Sequence, residues 1–354
     1  MGPADRPERQ CTGSPERVGT GGVAFVRPRT APTWKGAGGT GERIHDVKAG
    51  VFLPTFAASG PIDVEAVRRI AVAAERHGFE YAFVGDHLVW NVGMLAPLPT
   101  LAYLAAATER IKLGTGVYLL PLRPPMIAAK DVATVDALSG GRLVLGVGAG
   151  GENPLEYRAA GVAPGNRGER MEEGLIALGS LLGGEGTAIE GRFTSVPAVL
   201  LDPRPERTIP LWLGGRADAV VDRAARMADG WFPVWVSARR YASAHDRVFA
   251  AGRTDEDFVF ALNLFVALAD TREEGYRLAS RHMEAAYALQ FSKFAKYVAY
   301  GTADDIKELL EPYRAAGVTQ VVFNLTGPGQ AEMLDRLAEE VLPWLGGHVG
   351  NDVR

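Results

Sequence analysis

Short segments that are apolar at every position recur along most of this chain, and a segment with helical periodicity follows each of them. Strands that are apolar throughout are typical of parallel sheets, where both faces are buried. The predicted strands are Ala49–Leu53, Tyr81–Val84, Ile111–Leu120, Leu143–Val147, Pro210–Leu213, Gly230–Val234, Phe258–Leu268 and Gln320–Leu325. Eight strand–helix units within about 300 residues predict an α/β fold, a closed (β/α)8 TIM barrel.

The segments between these strands carry the start and stop signals of helices. Asp63 can cap the first helix and Gly78 can end it. Pro124 and Pro125 can open the helix that precedes the fourth strand. The later predicted helices lie at residues 168–182, 217–227, up to about 251, 303–315 and around 334–341.

A doubly wound open sheet is the structural alternative to the barrel. Such a sheet is expected to carry a glycine-rich fingerprint directly after its first strand. Residues 53–56 of this chain read Leu-Pro-Thr-Phe at that place, which favours the barrel.

Two connections, after the fourth and seventh strands, are too long for plain turns and predict insertions. Residues 183–202 include a predicted hairpin around Ile189–Phe193. Residues 270–301 carry six aromatic side chains, which are Tyr276, Tyr287, Phe291, Phe294, Tyr297 and Tyr300. This second insertion follows the C-terminal end of a strand, so it either roofs a site there or forms a packing or dimer surface.

The composition excludes several classes of function. Lys and Arg number 38 against 42 Asp and Glu, and this near balance argues against binding to nucleic acid or to an anionic membrane. No apolar run reaches about 18 residues, so no transmembrane helix is predicted. Cys11 is the single cysteine, which excludes disulfides, thiolate zinc sites and a cysteine nucleophile from the body of the protein. Together with the lack of a secretory signal, this predicts a cytoplasmic protein.

The two ends of the chain differ from its body. Residues 1–46 are rich in Gly, Pro, Arg and Thr without periodicity, which predicts a disordered tail, with a regulatory or targeting role as the alternative. Residues 47–346 form the predicted barrel domain, and residues 347–354 form a short C-terminal tail.

Glycine clusters and polar residues follow the predicted strands at the end of the barrel where active sites lie. The clusters are at residues 114–117, 148–154 and 214–216. Glycine lets a large flat group approach the backbone closely. Gly214, Gly215 and Arg216 precede a helix, where free N–H groups and a guanidinium suit a phosphate. The three clusters together predict a planar, phosphorylated cofactor.

His87 follows the second strand and is the candidate for proton transfer, since an imidazole can give or take a proton near neutral pH. Asp86 can orient it or bind a ring N–H of the cofactor, and Glu152 is the acid of the second glycine cluster. The structural alternative is a turn in which the ring of His87 forms hydrogen bonds only to neighbouring groups of that turn. No two of the six histidines share ligand spacing and no Gly-x-Ser-x-Gly motif occurs, so neither a metal site nor a serine hydrolase is predicted.

Three ordered motifs resemble the bacterial-luciferase-like flavin-dependent oxidoreductases. They are Leu-Gly-Thr-Gly-Val-Tyr-Leu-Leu-Pro-Leu-Arg-Pro-Pro from residue 113, Ala-Leu-Ser-Gly-Gly-Arg-Leu-Val-Leu-Gly-Val-Gly-Ala-Gly-Gly-Glu-Asn-Pro from residue 137, and Pro-Leu-Trp-Leu-Gly-Gly-Arg from residue 210. The resemblance extends from about residue 48 to residue 344. It implies a (β/α)8 barrel, either FMN or the deazaflavin coenzyme F420, and a non-proline cis peptide bond between Gly116 and Val117.

The sequence Asp-His followed closely by Trp resembles the F420-dependent branch, in particular its sugar-phosphate dehydrogenases. This resemblance implies catalytic roles for His87, Trp90 and Glu152. Trp90 comes one position sooner than in those enzymes, and the glycine loop before Glu152 differs from theirs. The sugar-phosphate specificity is therefore not carried over, and the Gly-Gly-Glu-Asn-Pro form is more similar to actinobacterial-type deazaflavin reductases.

We therefore expect an F420-dependent oxidoreductase that transfers a hydride between C5 of the deazaflavin and a small organic substrate, with His87 and Glu152 in proton transfer. The expected cofactor contacts are Asp86, Thr115, Gly116, Val117, Glu152, Asn153, Gly214, Gly215 and Arg216. The alternatives are an FMN-dependent two-component monooxygenase that uses reduced flavin and oxygen, and a barrel that only binds its ligand. The resemblance also implies a homodimer and a separate flavin or F420 reductase that supplies reduced cofactor.

Overall fold

A computed structural model describes residues 46–57, 60–151, 153–288 and 290–346. The predicted tails at residues 1–46 and 347–354 lie outside these ranges, except for Asp46. The eight principal strands are β1 Lys48–Phe52, β2 Tyr81–Val84, β3 Lys112–Thr115, β4 Leu143–Gly148, β5 Leu211–Leu213, β6 Gly230–Trp231, β7 Val259–Leu268 and β8 Gln320–Leu325. Each strand pairs in parallel with its successor, and β8 pairs with β1. The ring is closed, which confirms the barrel over the open sheet.

Helices connect the strands at most positions predicted from the sequence. They are α1 Val64–Arg76, α2 Pro97–Ala105, α3 Pro125–Leu138, α4 Pro154–Ala159, α5 Arg167–Gly183, α6 Asp218–Met227, α7 Ala238–Ala250, α8 Arg272–Tyr287, α9 Ala303–Ala315, α10 Gln330–Glu340 and α11 Leu342–Leu345. As predicted, the Asp63 carboxylate caps α1, accepting a hydrogen bond of 2.8 Å from the Ala66 N–H. The helix α2 and the short α4 are additions to the predicted pattern.

Two strands are shorter than predicted. The third was expected to run from Ile111 to Leu120, but β3 ends at Thr115 and a separate short strand at Tyr118–Leu119 pairs with the end of β4. The sixth was expected to reach Val234, but Pro233 has no backbone N–H to continue the ladder. Only an isolated bridge joins Val234 to Asn263 beyond that point.

Aromatic side chains fill the interior of the barrel. The ring centre of Phe83 lies 5.5 Å from that of Trp212 and 5.0 Å from that of Phe232. Glycine at position 114 leaves room for Phe83, since a Cβ there would lie 2.4 Å from its Cε1 atom. This packed interior holds the strand ends, and with them the loops, in fixed positions.

Both predicted insertions are present. A two-stranded hairpin pairs Ile189–Glu190 with Ser195–Val196. The second insertion is mainly α8, followed by two short 3-10 turns and by a strand at Val298–Gly301 that pairs with the C-terminal half of β7. The helix α8 therefore stands at the C-terminal end of the barrel.

The close contact between β3 and β4 at Gly146 can be tested by substitution. A Cβ at this position would lie 2.0 Å from the carbonyl oxygen of Thr115. We expect Gly146→Ala to lower the free energy of unfolding by about 2–3 kcal/mol, because the backbone of β3 has to shift. The matched control is Gly179→Ala in α5, where a Cβ meets no atom within 4 Å. It should raise stability by about 0.5–1 kcal/mol. Urea denaturation of both variants gives the comparison, and equal stabilities would contradict it.

Candidate active site

The structure brings the three predicted glycine clusters together around one side chain. The peptide bond between Gly116 and Val117 is cis, which confirms the bond implied by the family resemblance. The side chain of Val117 then lies against the two other clusters. A Cβ on Gly148 would lie 2.3 Å from one Val117 methyl group, and a Cβ on Gly214 would lie 2.6 Å from the other. The glycines at the ends of β4 and β5 therefore make room for Val117 at the barrel mouth.

His87 is held by a carboxylate that the sequence analysis did not single out. Its Nδ1 lies 3.1 Å from an oxygen of Glu156, which is fully buried on α4. The same carboxylate accepts backbone hydrogen bonds from the N–H groups of Leu88 at 2.7 Å and Val89 at 3.3 Å. The sequence had indicated Glu152, four positions earlier, as the acid of the glycine cluster after β4. Glu152 lies outside the described residues.

Glu156 is held in its charged form. Burial acts to raise the pKa of this carboxyl, but the hydrogen bond and charge of His87 and the two backbone N–H groups outweigh it. The net result is a pKa below the ordinary value. Because a carboxylate only accepts hydrogen bonds, Nδ1 of His87 carries a hydrogen, and Nε2 is the atom left for exchange with a substrate. Within the described ranges, Nε2 has no hydrogen-bond partner.

Asp86 has a different role from the one expected. Its carboxylate is buried and binds both terminal nitrogens of Arg123, at 2.6 and 2.8 Å, and accepts from the Leu119 N–H at 2.8 Å. It therefore does not orient His87, and it fixes the segment that follows the cis bond. The contact of Asp86 with the cofactor stays a prediction.

Thr115 and Asn153 also use their side chains within the protein. The Thr115 hydroxyl is buried and donates to the Gly146 carbonyl at 2.7 Å, so it joins β3 to β4. The Asn153 side chain caps α4 by accepting from the Leu155 N–H, and its nitrogen donates to the Val89 carbonyl at 3.0 Å. Both residues thus position the loops at the barrel mouth.

Trp90 lies directly on His87. The two rings are stacked, with centres 3.9 Å apart and planes 16° apart. The indole nitrogen donates to the carbonyl of Ala286 on α8 at 3.0 Å. The loop after β2 is therefore tied both to α4, through Glu156, and to the insertion after β7.

An aromatic roof covers this loop. We use that name for the rings of Phe56, Trp90, Trp235, Phe265 and Tyr287. Tyr287, from the end of α8, contacts all the others, with ring centres 5.6–6.3 Å away. The predicted aromatic insertion thus roofs the strand ends, although only Tyr287 of its six aromatic residues belongs to the roof.

The predicted phosphate site is placed at the start of α6. Gly215 has a φ of +135°, which favours glycine. The Arg216 side chain is exposed, with its guanidinium carbon 6.0 Å from the centre of the Trp235 ring. Its carbonyl accepts from Arg240, which also pairs with Asp218 at 2.6 Å. The guanidinium of Arg216 itself forms no ion pair with an acid in the described part of the chain.

Two buried polar atoms at this end of the barrel test whether a planar cofactor fits. The Thr55 hydroxyl, just after β1, and the Asn263 side-chain oxygen have no hydrogen-bond partner among the described residues. Asn263 lies two residues after Ala261 in β7, so both side chains point to the barrel interior. A flavin or deazaflavin edge carries both N–H groups and carbonyls, so it can satisfy such atoms. We call Gly148 and Gly214, which leave room for Val117, the glycine cradle. The two polar atoms and this cradle fit the predicted cofactor.

A cavity of about 130 Å³ lies at the opposite end of the barrel. It is lined by residues near the strand starts, including Tyr81, Arg142, Arg207 and Trp212. In TIM barrels, this end contributes to stability and the other end carries the active site.

The described residues contain no group of three or more side chains suited to a metal, and none of their helices is long and apolar enough to cross a membrane.

A family model described as luciferase-like monooxygenase matches residues 47–339. The chain belongs to this family. An F420-dependent glucose-6-phosphate dehydrogenase from Nakamurella multipartita is 28% identical over 313 residues, which cover 79% of this chain and 92% of the relative. The corresponding protein from Beutenbergia cavernae is 31% identical, covering 77% of this chain and 91% of its own.

Solved structures of the luciferase-like monooxygenase fold agree with the barrel described above. An F420-dependent secondary alcohol dehydrogenase, solved with an F420–acetone adduct, superposes with a TM-score of 0.73. The match covers 84% of this chain and 98% of that structure at 16% sequence identity, a level that supports the fold alone.

The charge of Glu156 gives this luciferase-like protein a testable pH dependence. We expect Glu156→Gln to lower the free energy of unfolding by about 1–3 kcal/mol near neutral pH, where the wild-type carboxylate is charged. The folded pKa lies below the ordinary value of 4.5, so this stabilisation is present above that value and is lost as pH falls through the lower folded pKa. Urea denaturation at several pH values measures the difference.

The control for this experiment is Glu339→Gln, which changes an exposed acid on α10. It should leave stability nearly unchanged at every pH. A difference between Glu156→Gln and wild type that stays constant into the acid range would show that the charge of Glu156 is unimportant.

Proposed function

We propose that this protein is an F420-dependent oxidoreductase that acts on a small organic substrate. The observation that carries the proposal is the orientation of His87, whose ring is fixed by buried Glu156 and covered by Trp90 beside the glycine cradle. The F420-dependent relatives, matched over most of their length, support the choice of cofactor. When bound, F420 supplies hydride transfer at C5 of its ring.

The protein's own contribution is binding, orientation and proton transfer. Val117 and Gly116 present the backbone against which the ring would lie, and Arg216 with the start of α6 would hold the phosphate. Glu152 and Asn153 stay within the proposal as contacts of the cofactor. The proposal includes a cytoplasmic homodimer and a separate reductase that supplies reduced cofactor.

Proton transfer in this proposal runs through Nε2 of His87. With a hydrogen on Nδ1 and a charged Glu156 behind it, the neutral ring can accept a proton at Nε2 during substrate oxidation. The resulting imidazolium is stabilised by Glu156, and it can return the proton in the opposite direction. Trp90 keeps water from one face of the ring and fixes its plane, which favours a single direction of proton transfer.

An FMN-dependent two-component monooxygenase is the second candidate. The family description is a luciferase-like monooxygenase, and the aromatic roof would exclude water from a site that uses reduced flavin and oxygen. Proton transfer by His87 is compatible with both candidates. Cofactor binding is what distinguishes them.

The first test is titration of the purified protein with F420 and with FMN, each oxidised and reduced, followed by fluorescence. We expect F420 to bind more tightly than either form of FMN. Arg216→Ala should weaken F420 binding roughly tenfold by removing one charge from the phosphate. The control is Arg226→Ala in the last turn of α6, the helix that follows Arg216, and this variant should bind F420 as the wild type does. Preferential binding of reduced FMN would reject the F420 proposal in favour of the monooxygenase.

The second test concerns turnover. A panel of alcohols, ketones and activated alkenes identifies a compound that the F420-loaded protein turns over. With it, His87→Ala should lower turnover by roughly 10²–10⁴ while F420 affinity stays within a few fold. Glu156→Gln should lower turnover less, since it loosens the orientation of His87 but keeps its ring. Unchanged turnover in His87→Ala would remove His87 from the mechanism.

A further inference from the structure

The aromatic roof offers a surface for ligand recognition at the barrel mouth. Its five rings come from the segments after β1, β2 and β6, from β7 itself and from α8. Phe265 is buried, whereas Phe56, Trp90, Trp235 and Tyr287 each keep part of their surface exposed. Trp90 also stacks on His87, so one roof ring directly adjoins the group proposed for proton transfer. A molecule bound beside His87 would contact these faces.

Two ring nitrogens that can donate hydrogen bonds are buried here, one on the roof residue Trp235 and one on His282 beside the roof. His282, on α8, has its ring centre 5.7 Å from that of Phe56 and 6.4 Å from that of Tyr287. Its Nδ1 accepts a hydrogen bond from the Gly327 N–H at 3.4 Å, so the proton of the neutral ring lies on Nε2. That Nε2 is buried without a partner among the described residues, and so is the indole nitrogen of Trp235.

His282 stays neutral at physiological pH. Burial lowers its pKa to about 4, because the charged ring would lose its hydration among the roof side chains. It is thus a neutral donor and not a cation. Buried donors of this kind are normally paired, and an oxygen acceptor on a ligand would satisfy them.

Cationic side chains make little contact with the roof rings in the described part of the chain. Arg216 is the one cation in contact with a roof ring among the described residues, and it is exposed and assigned above to the cofactor phosphate. Two acids near His87 have partners within the protein, since Asp86 pairs with Arg123 and Glu156 binds the His87 ring. A phosphate group on a substrate would therefore compete with the cofactor for Arg216, and without that counter-charge its burial is strongly unfavourable.

We infer that the site beneath the aromatic roof takes a neutral, planar, mainly apolar molecule with a carbonyl or similar oxygen that accepts from His282 or Trp235. It does not suit a sugar phosphate, the substrate in the names of the relatives. This inference deepens the proposed function and rests on it for the chemistry at His87. Binding to the roof itself does not require the cofactor.

Three probes test the inference. Benzylideneacetone is a neutral aromatic enone, 1-phenyl-1-butene has the same carbon skeleton without the oxygen, and glucose 6-phosphate is the charged alternative. Isothermal titration and tryptophan fluorescence report binding to the protein with and without F420, and F420 fluorescence reports cofactor binding in the same samples. We expect the enone to bind, the hydrocarbon to bind roughly tenfold more weakly, and glucose 6-phosphate not to compete with either.

Variants separate the hydrogen bond from the packing. His282→Phe keeps an aromatic ring but removes the donor, so it should weaken enone binding roughly tenfold and leave hydrocarbon binding unchanged. Tyr287→Ala should weaken both aromatic probes. The matched control is Tyr276→Ala on the same helix, whose ring packs on Phe291 and Tyr300 outside the roof. It should bind both probes as the wild type does.

The outcomes are distinguishable from those of the proposed function. Tighter binding of glucose 6-phosphate than of the enone, or failure of both aromatic probes to bind, overturns the inference even when F420 binds normally. Equal losses for enone and hydrocarbon in His282→Phe overturn the role of His282. Enone binding with the expected variant effects, but without any F420 binding, supports the roof as a ligand site and rejects the F420-dependent function.

Discussion

The arrangement of the active site depends on the buried carboxylate of Glu156. A charged group in an apolar environment is tolerated only when its hydrogen-bonding capacity is satisfied. Here the partners are the ring of His87 and two backbone N–H groups, all on the loop that follows β2. Because Glu156 itself follows β4, this one group joins two strand ends that are not neighbours in the ring. It also determines which nitrogen of His87 is available.

The fold could be predicted because the sequence patterns that specify it lie within single strands and helices. Uniformly apolar segments mark buried strands, and caps such as Asp63 mark where helices begin, so all eight strands were located correctly. The errors in the third and sixth strands occur where a single backbone feature, a cis bond or Pro233, interrupts an apolar run. Hydrophobicity alone does not register such features. The glycine clusters were recognised as a set because equivalent strand ends meet at one end of a barrel.

The side-chain contacts of the site depend on long-range packing, which is why sequence reasoning predicted them less well. Asp86 and His87 are adjacent in the chain, yet their side chains pair with Arg123 and Glu156, which lie 37 and 69 positions away. Nothing in the local pattern distinguishes Glu156 from Glu152 as the acid that faces His87. A polar Asn263 within the otherwise apolar β7 was the one local signal of an interior polar atom that could have been used. The contacts of His282 and of the roof could not be predicted without knowing where α8 lies in the fold.

The hydrogen bond from Trp90 to Ala286 couples the last turn of α8 to the ring of His87. Trp90 is stacked on His87, while Ala286 belongs to the last turn of α8, next to Tyr287. Lifting α8 away from the barrel must either break this bond or pull the indole off the imidazole. The position of the insertion and the orientation of the His87 ring are thereby coupled, so a substitution in the last turn of α8 also acts on the histidine, with Trp90 as the link.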